Sequence, residues 1–327
     1  MPRLRSRSTN GGSNALALCI SALSLGGIFL SFDPAPAGEH VADIRRTIPR
    51  ESDVPVPPGL ILSEITQPAG PSVAAEGSSP AAGQGIVLSN QEAIHFSLLL
   101  LKDAARFLEN VDSYSVTFNK QERINGDLGE SQIIDLKVRH QPSFSVYMKW
   151  RNGDRGRQVL YNEDYNDKKM VVKLGGFKGR LLPAIKLDPR SPEAMSEARY
   201  PCTEAGLLGM VRQLVMHREK DVAHGQGVTC IRLPNRICDE RDCYCFQYEY
   251  ASAEFNEIYR KSLVLIDTRY HIPLQVINYT WAQDVDGLTP QELDEQTLVE
   301  NYSFQTLDFG RQLVVEDFSR DNPTYRM

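Results

Sequence analysis

The chain has 327 residues, with 36 Lys and Arg against 42 Asp and Glu, which gives a formal net charge of −6. A mildly acidic chain without a Lys/Arg stripe argues against a nucleic-acid-binding protein, because binding to the phosphate backbone depends on clustered cations. Hydrophobic residues make up 41% of the sequence, which is enough for a substantial core.

The N-terminal residues predict a secretory signal peptide. An apolar run over residues 15–30 follows three arginines and precedes the small residues of a cleavage site, Ala35-Pro36-Ala37. We therefore expect residues 1–37 to be removed and the chain to be exported to the periplasm. The alternative is an uncleaved anchor helix, for which the run is short, because a membrane span needs roughly 17–25 residues.

A proline-rich stretch follows the signal peptide. Nine of the nineteen prolines lie between Asp33 and Leu88, with Ala, Gly and Ser around them. Such a composition buries too little apolar surface to offset the entropy lost on ordering. We therefore expect residues 38–88 to be a disordered tether and residues 89–327 to form one globular domain.

The domain is predicted to open with an amphipathic helix. Ser89 and Glu92 have the spacing of a capping box, and apolar residues recur behind them at helical spacing as far as Leu108. A second helix is expected near the middle of the domain, with Thr203 as its N-cap and apolar residues from Leu207 to Val215 on one side.

The rest of the domain alternates between apolar and polar residues, which is typical of antiparallel strands with one buried and one solvent-exposed face. The expected strands are 114–118, 134–138, 144–150, 158–161, 169–174, 228–233, 244–251, 260–267, 272–281 and 297–307. The predicted fold class is therefore α+β, a curved antiparallel sheet of about ten strands covered by two main helices.

The inner face of this sheet carries a set of large apolar residues. Either they are a packed core, or they line a cavity for an acyl chain, because lipid pockets are mostly apolar with few polar groups. The candidate cavity-lining residues are Tyr114, Val116, Phe118, Phe144, Val146, Met148 and Trp150.

Usual catalytic motifs are absent from the sequence, including G-x-S-x-G, H-E-x-x-H, the P-loop and G-x-G-x-x-G. The six histidines are scattered. We therefore predict no enzymatic activity, no cofactor and no metal. A loop calcium site at Glu163, Asp164 and Asp167 is an alternative, although its spacing is not that of an EF-hand.

Five cysteines lie outside the signal peptide, and an exported chain meets an oxidising compartment. Cys238 and Cys243 flank a polar loop of hairpin length, so we expect a disulfide between them across the neck of the hairpin. A metal site at Cys238, Cys243 and Cys245 is the alternative, although C-x4-C-x-C matches no usual zinc spacing.

The order of elements resembles that of the Lol-type carriers of bacterial lipoproteins, and the chain resembles an uncharacterised family of bacterial exported proteins grouped with that fold. The residues that carry the resemblance are Pro142–Trp150, Tyr161–Asp164, Asp267, Ile272-Pro273-Leu274, Asn278-Tyr279, Glu300–Phe304, Asp317-Phe318 and Asn322-Pro323-x-Tyr325. The resemblance implies an open half-barrel, closed by helices around a hydrophobic cavity that holds acyl chains in Lol carriers.

These observations lead to two hypotheses of function. The first is an exported binding protein that holds the acyl chains of a lipid or a lipidated protein in the half-barrel cavity. The second is a non-enzymatic structural or protein-interaction module of the cell envelope with a filled core. The two hypotheses differ in whether a continuous apolar cavity of several hundred Å3 lies behind Trp150, the size expected of a ligand pocket.

Overall fold

A computed structural model describes residues 88–282, 286–325 and 327. The predicted signal peptide (1–37) and, except for Leu88, the predicted tether (38–88) lie outside the described residues.

The predicted first helix is present as α1, Asn90–Glu109. The Ser89 hydroxyl accepts a hydrogen bond from the Glu92 backbone N–H (3.4 Å), and the Glu92 carboxylate accepts one from the Ser89 N–H (2.8 Å). This reciprocal pair is the predicted capping box, and it fixes where the helix begins.

Within the part of the chain that the structure describes, twelve strands form one antiparallel sheet. They are β1 (Ser113–Ile124), β2 (Asp127–Leu128), β3 (Gln132–Arg139), β4 (Ser145–Trp150), β5 (Gln158–Asn162), β6 (Met170–Lys173), β7 (Ile185–Leu187), β8 (Val228–Cys238), β9 (Arg241–Tyr250), β10 (Lys261–Asp267), β11 (Pro273–Tyr279) and β12 (Leu298–Asp308). The predicted α+β class is confirmed, with twelve strands in place of about ten.

The strand order is β7-β6-β5-β4-β3-β1-β12-β11-β10-β9-β8, with β2 paired to β1 alone. Two meanders therefore meet where β1 pairs with β12. Among the described residues β7 and β8 are not paired with each other, so the sheet is an open half-barrel whose two edges are these strands.

In the described ranges four further α-helices connect the strands: α2 (Lys178–Leu181), α3 (Pro192–Met195), α4 (Leu207–His224) and α5 (Pro290–Thr297). The predicted N-cap of the second main helix, Thr203, is wrong. Thr203 lies in a 3-10 turn, and α4 begins after Gly206, whose φ of +95° favours glycine. The Leu207 N–H is instead satisfied by the Tyr114 hydroxyl at 2.7 Å.

Helices α1 and α4 pack together on one face of the sheet, which we call the inner face. Under them lies a core that includes Tyr114, Phe304, Phe246 and Tyr248, all nearly inaccessible to solvent. This arrangement agrees with the predicted cover of two main helices.

The outer face differs from the prediction over part of the sheet. Tyr147, on the outer face of β4, is buried because the C-terminal residues pack over it, and its ring stacks on Tyr325 with centroids 3.8 Å apart. Lys137 ties this tail down through Asp317 (2.6 Å) and the Tyr325 hydroxyl (3.0 Å). This part of the sheet is therefore covered on both faces.

Among the described residues, no helix combines the length and the apolar character needed to span a membrane.

Candidate functional site

An interior cavity lies between the inner face of the sheet and the connection that leads into α4. Its volume is about 370 Å3, within the range of about 300–1,000 Å3 that is typical of small-molecule pockets. One wall consists of inward-facing residues of β1, β3, β4, β5, β6, β11 and β12. The other consists of residues 189–206, which we call the cover segment, and the first turns of α4.

The middle of the sheet provides the apolar wall of this cavity. Phe118 on β1 and Phe304 on β12 are register partners, and their rings stack with centroids 4.9 Å apart. Because side chains alternate between the two faces of a strand, neighbouring strands add further apolar residues to the same face. These are Ile134, Met148, Trp150, Val159, Met170 and Val276.

The seven predicted lining residues divide into two groups. Phe118, Met148 and Trp150 line the cavity. The other four belong to the packed core or pack against it and do not line the cavity: Tyr114, Val116, Phe144 and Val146. The start of α4 fills that end of the sheet, since a Cβ on Gly206 would lie 2.4 Å from the Tyr114 hydroxyl oxygen.

Two buried carboxylates lie at one end of the cavity. Glu122 on β1 and Glu300 on β12 are register partners and are only 8% and 2% exposed. The Tyr302 hydroxyl donates to Glu122 Oε1 (2.6 Å), and Asn278 Nδ2 and the Tyr259 hydroxyl donate to Glu300 Oε1 at 2.6 and 2.8 Å. We call these five residues the polar cap.

Two cations balance the carboxylates of the polar cap. Lys120 Nζ lies 2.9 Å from Glu122 Oε2, and Arg199 Nε lies 2.8 Å from Glu300 Oε2. Arg199 belongs to the cover segment, and its backbone N–H also donates to Glu122 Oε2 (3.3 Å). The polar cap therefore ties the cover segment to the sheet.

Burial raises the pKa values of the tyrosines around the polar cap. The pKa values of Tyr302 and Tyr259 lie well above the usual 10, first because burial disfavours the phenolate and then because Glu300 repels it. The same causes raise the pKa of Tyr200 to about 12. These phenols stay protonated at neutral pH and donate to carboxylate oxygens, so the polar cap is a mutually satisfied network.

A partly exposed ion pair lies at another part of the cavity wall. Arg157, next to β5, forms an ion pair with Glu197 of the cover segment, and its guanidinium lies 5.0 Å from the centre of the Trp150 ring. Both charged residues line the cavity, and the Glu197 side chain is 58% exposed. Solvent therefore reaches the cavity wall at this pair, which we call the mouth.

His217 on α4 also lines the cavity. Its pKa is lowered to about 4, first by burial and then by the charges of Arg218 and Lys220. Its ring lies 5.6 Å from that of Tyr259. At neutral pH this face of α4 therefore presents an uncharged imidazole to the cavity.

The predicted disulfide is absent from the structure. Cys238 and Cys243 are free thiols, because the hairpin turn has only two residues, Asp239 and Glu240, and the register pairs Cys238 with Arg241 and Cys243 with Arg236. The pKa of Cys243 is raised to about 12, mainly by burial. Within the described residues, no group of three or more His, Cys, Asp or Glu is placed to hold a metal ion.

The two carboxylates of the polar cap and Arg199 are not among the functional residues expected from the sequence. A signal was present for Glu122 and Glu300, because each continues the inward-facing alternation of an apolar strand: Glu122 follows Phe118 at even spacing, and Glu300 precedes Phe304 in the same way. A charged residue at an inward position of a strand marks a buried polar site. Arg199 lies in a connection without periodicity and gives no such signal.

Comparison with known proteins gives one family. The family model described as "Protein of unknown function (DUF1571)" matches residues 111–327, which agrees with the resemblance to a family of unknown function expected from the sequence. The search of curated proteins found no significant match.

Several solved structures are similar to this chain at low identity. LppX from Mycobacterium tuberculosis is 13% identical with a TM-score of 0.38, and the match covers 67% of this chain and 99% of LppX. A LolA superfamily protein from Nitrosomonas europaea is 13% identical with a TM-score of 0.27, and the match covers 72% of this chain and 99% of that protein. A chain of the MucA/MucB complex of Pseudomonas aeruginosa is 10% identical with a TM-score of 0.40, and the match covers 68% of this chain and 60% of that chain. At these TM-scores the likeness carries no argument about function.

Proposed function

We propose that this chain, which belongs to the DUF1571 family, is an exported binding protein that holds an acyl chain of a lipid or lipidated protein in its cavity. The observation that carries the proposal is the mostly apolar cavity of about 370 Å3 next to Trp150. Moving an apolar chain from water into such a space is favourable by about 0.8 kcal/mol for each CH2 group.

The mouth suits the polar end of such a ligand. Arg157 Nε is buried and has no hydrogen-bond partner among the described residues. A buried donor without a partner costs free energy, which an ester or carboxylate oxygen of the ligand would recover. The oxygens of the polar cap already accept hydrogen bonds, so we assign the acyl chain to the interior and its polar end to Arg157.

The proposed function is binding without chemistry. The carboxylates of Glu122 and Glu300 are held by ion pairs and phenol donors, and this arrangement leaves neither of them poised as a general base. The predicted signal peptide supports a periplasmic location, where the partners would be lipids or an envelope lipoprotein.

Filling the cavity from the cover segment tests this proposal. Ala198 lines the cavity and is partly exposed, so Ala198→Trp adds bulk without opening the packed core. The matched control is Ala251→Trp, at an exposed loop residue outside the cavity lining. Native mass spectrometry and lipid extraction of the purified chain provide the readout.

We expect the wild-type chain and the Ala251→Trp control to carry bound lipid, and Ala198→Trp to lose at least about nine-tenths of it, since blocking a few CH2 groups costs more than about 1.4 kcal/mol. Lipid bound equally by both variants would overturn the proposal, as would a wild-type chain that binds no lipid when offered fatty acids or phospholipids.

A further inference from the structure

The connection between β6 and β7 exposes a dense group of large apolar side chains. Phe177 is 73% exposed, Leu181 68%, Leu182 50% and Ile185 45%. Among the described residues no other stretch of similar length exposes four large apolar side chains. Exposed apolar groups of this kind mark interaction sites. We call these four residues the apolar tip.

The fold holds the backbone of this connection in a defined shape. Lys173 Nζ donates to the Leu182 carbonyl at 2.7 Å, and the Gly176 N–H donates to the Arg155 carbonyl at 2.9 Å. A Cβ on Gly175 would lie 2.2 Å from the Asp154 carbonyl oxygen, so the connection lies directly against the turn between β4 and β5. The apolar tip is therefore presented on a formed loop.

The charge around the apolar tip differs in sign from that of the whole chain. Residues 173–186 contain four Lys or Arg and no Asp or Glu, whereas the net charge of the chain is −6. Arg180 and Lys186 are exposed. The acidic neighbour at the β4–β5 turn, Asp154, has a carboxylate oxygen 4.0 Å from Arg157. The surface around the tip is therefore locally basic.

From this juxtaposition we propose that the β6–β7 connection docks the domain on an anionic lipid bilayer. Apolar side chains at the tip of a connection enter the boundary between headgroups and acyl chains, and the flanking cations bind the lipid phosphates. The side chains of Arg180 and Lys186 can extend from the tip to reach those phosphates. Docking needs only this surface and does not require an occupied cavity.

The same strands connect the apolar tip to the cavity. Met170 at the start of β6 lines the cavity, and Lys173 at its end leads into the connection, about 10 Å along the strand at roughly 3.3 Å per residue. Pro189, two residues after β7, lines the cavity as well. A docked domain would thus hold one wall of its cavity close to the bilayer.

Vesicle sedimentation tests the docking. The probes are vesicles of phosphatidylcholine alone and vesicles that also contain phosphatidylglycerol. The protein is the chain after removal of the predicted signal peptide, and mass spectrometry verifies its N-terminus. One variant removes apolar surface (Phe177→Ser with Leu181→Ser), and another reverses charge (Arg180→Glu with Lys186→Glu). The matched controls are Ile237→Ser on β8, at a residue that is 70% exposed, and Arg320→Glu, at an exposed residue of the C-terminal tail.

We expect salt-sensitive binding to the anionic vesicles, weakened about tenfold or more by each loop variant and unchanged by the controls. Circular dichroism verifies that each variant is folded. Equal binding by loop variants and controls would overturn the proposal, as would a wild-type chain that ignores the anionic vesicles. Displacement by inorganic phosphate beyond its effect on ionic strength would also overturn it, because the site would then bind free phosphate.

Discussion

Glu300 is the residue on which the polar end of the cavity depends. Its carboxylate is 2% exposed and accepts from the side chains of Asn278, Tyr259 and Arg199. Removing a buried charge from water costs several kcal/mol, and only a complete set of partners offsets that cost. Glu300 on β12 therefore orders groups from β11, the loop before β10 and the cover segment around one point.

Replacing Glu300 by Gln should destabilise the domain strongly. The substitution keeps the shape but leaves Arg199 without its carboxylate partner, so we expect the free energy of unfolding to fall by about 2–4 kcal/mol. Urea unfolding measures this change. The matched control is Glu197→Gln, at the exposed pair with Arg157, for which we expect less than about 1 kcal/mol. Equal losses in the two variants would contradict this role of Glu300.

His217 gives the domain a pH dependence on the acidic side. Its pKa is lowered to about 4 from the ordinary 6.5, so between these values the unfolded chain binds a proton that the folded chain excludes. The free energy of unfolding should therefore fall as the pH is lowered through this window. His140, whose pKa burial also lowers, acts in the same direction.

Unfolding as a function of pH isolates the contribution of His217. In His217→Gln we expect the loss of stability between pH 6.5 and about 4 to be smaller than in the wild-type chain by about 1–3 kcal/mol. Met216→Gln introduces the same side chain at the neighbouring position, which is 41% exposed, and should keep the wild-type profile. Identical profiles for the two variants would disprove the assignment.

At the scale of single residues, alternation along a strand predicts which face of the sheet a side chain lies on. It does not predict which side chains or helices that residue contacts. Phe118, Met148 and Trp150 could be assigned to the inner face from their spacing, and all three line the cavity. Tyr114 has the same alternation, yet it contacts the start of α4. Which inward residue meets a helix and which meets a cavity is decided by a connection whose path has no periodic signal.

At the scale of elements, the cover segment is the part of the cavity wall with the least regular secondary structure. It has one short helix, α3, of four residues, and it is tied to the sheet by the Arg199–Glu300 and Arg157–Glu197 ion pairs. Segments with few packed contacts open at lower free energy than the core. We therefore expect this segment to open more readily than the core.

Loss of the mouth ion pair should make the cover segment open more often. In Arg157→Met we expect hydrogen exchange at amides 194–200 to accelerate about two- to tenfold, since a partly exposed ion pair with an aromatic contact contributes roughly 0.4–1.4 kcal/mol. The control is Arg190→Met. Its pair with Glu204 (2.7 Å) lies within the cover segment and ties nothing to the sheet. Equal acceleration in both variants would show that Arg157 does not hold the segment down.

Elements with strong local signals were predictable, and those fixed by tertiary contacts were not. The capping box of Ser89 and Glu92 gave the start of α1 correctly. The start of α4 was missed because the Tyr114 hydroxyl, distant in sequence, replaces a local cap. The turn between β8 and β9 has only two residues, Asp239 and Glu240, which is shorter than the four-residue loop between Cys238 and Cys243 on which the disulfide prediction rests.

At the scale of the whole molecule, the sheet has different environments along its length. Under α1 its inner face is covered by packed core residues, whereas near Trp150 the cover segment and the first turns of α4 enclose a cavity. The C-terminal tail covers the outer face of β4, β5 and β6 through Phe318 and Tyr325. The alternating pattern predicted an exposed outer face, because alternation alone does not reveal that a distant segment returns to cover it.

Fluorescence of Trp150 can report directly on whether an acyl chain occupies the cavity. The chain has two tryptophans, and the other, Trp281, donates to the Asn256 carbonyl (2.9 Å) and does not line the cavity. In a Trp281→Phe background, fatty acid brominated along its chain is titrated while Trp150 fluorescence is measured. We expect saturable quenching at one ligand per chain, reversed by unlabelled fatty acid. Fluorescence that stays unquenched in a folded chain would contradict an acyl chain beside Trp150.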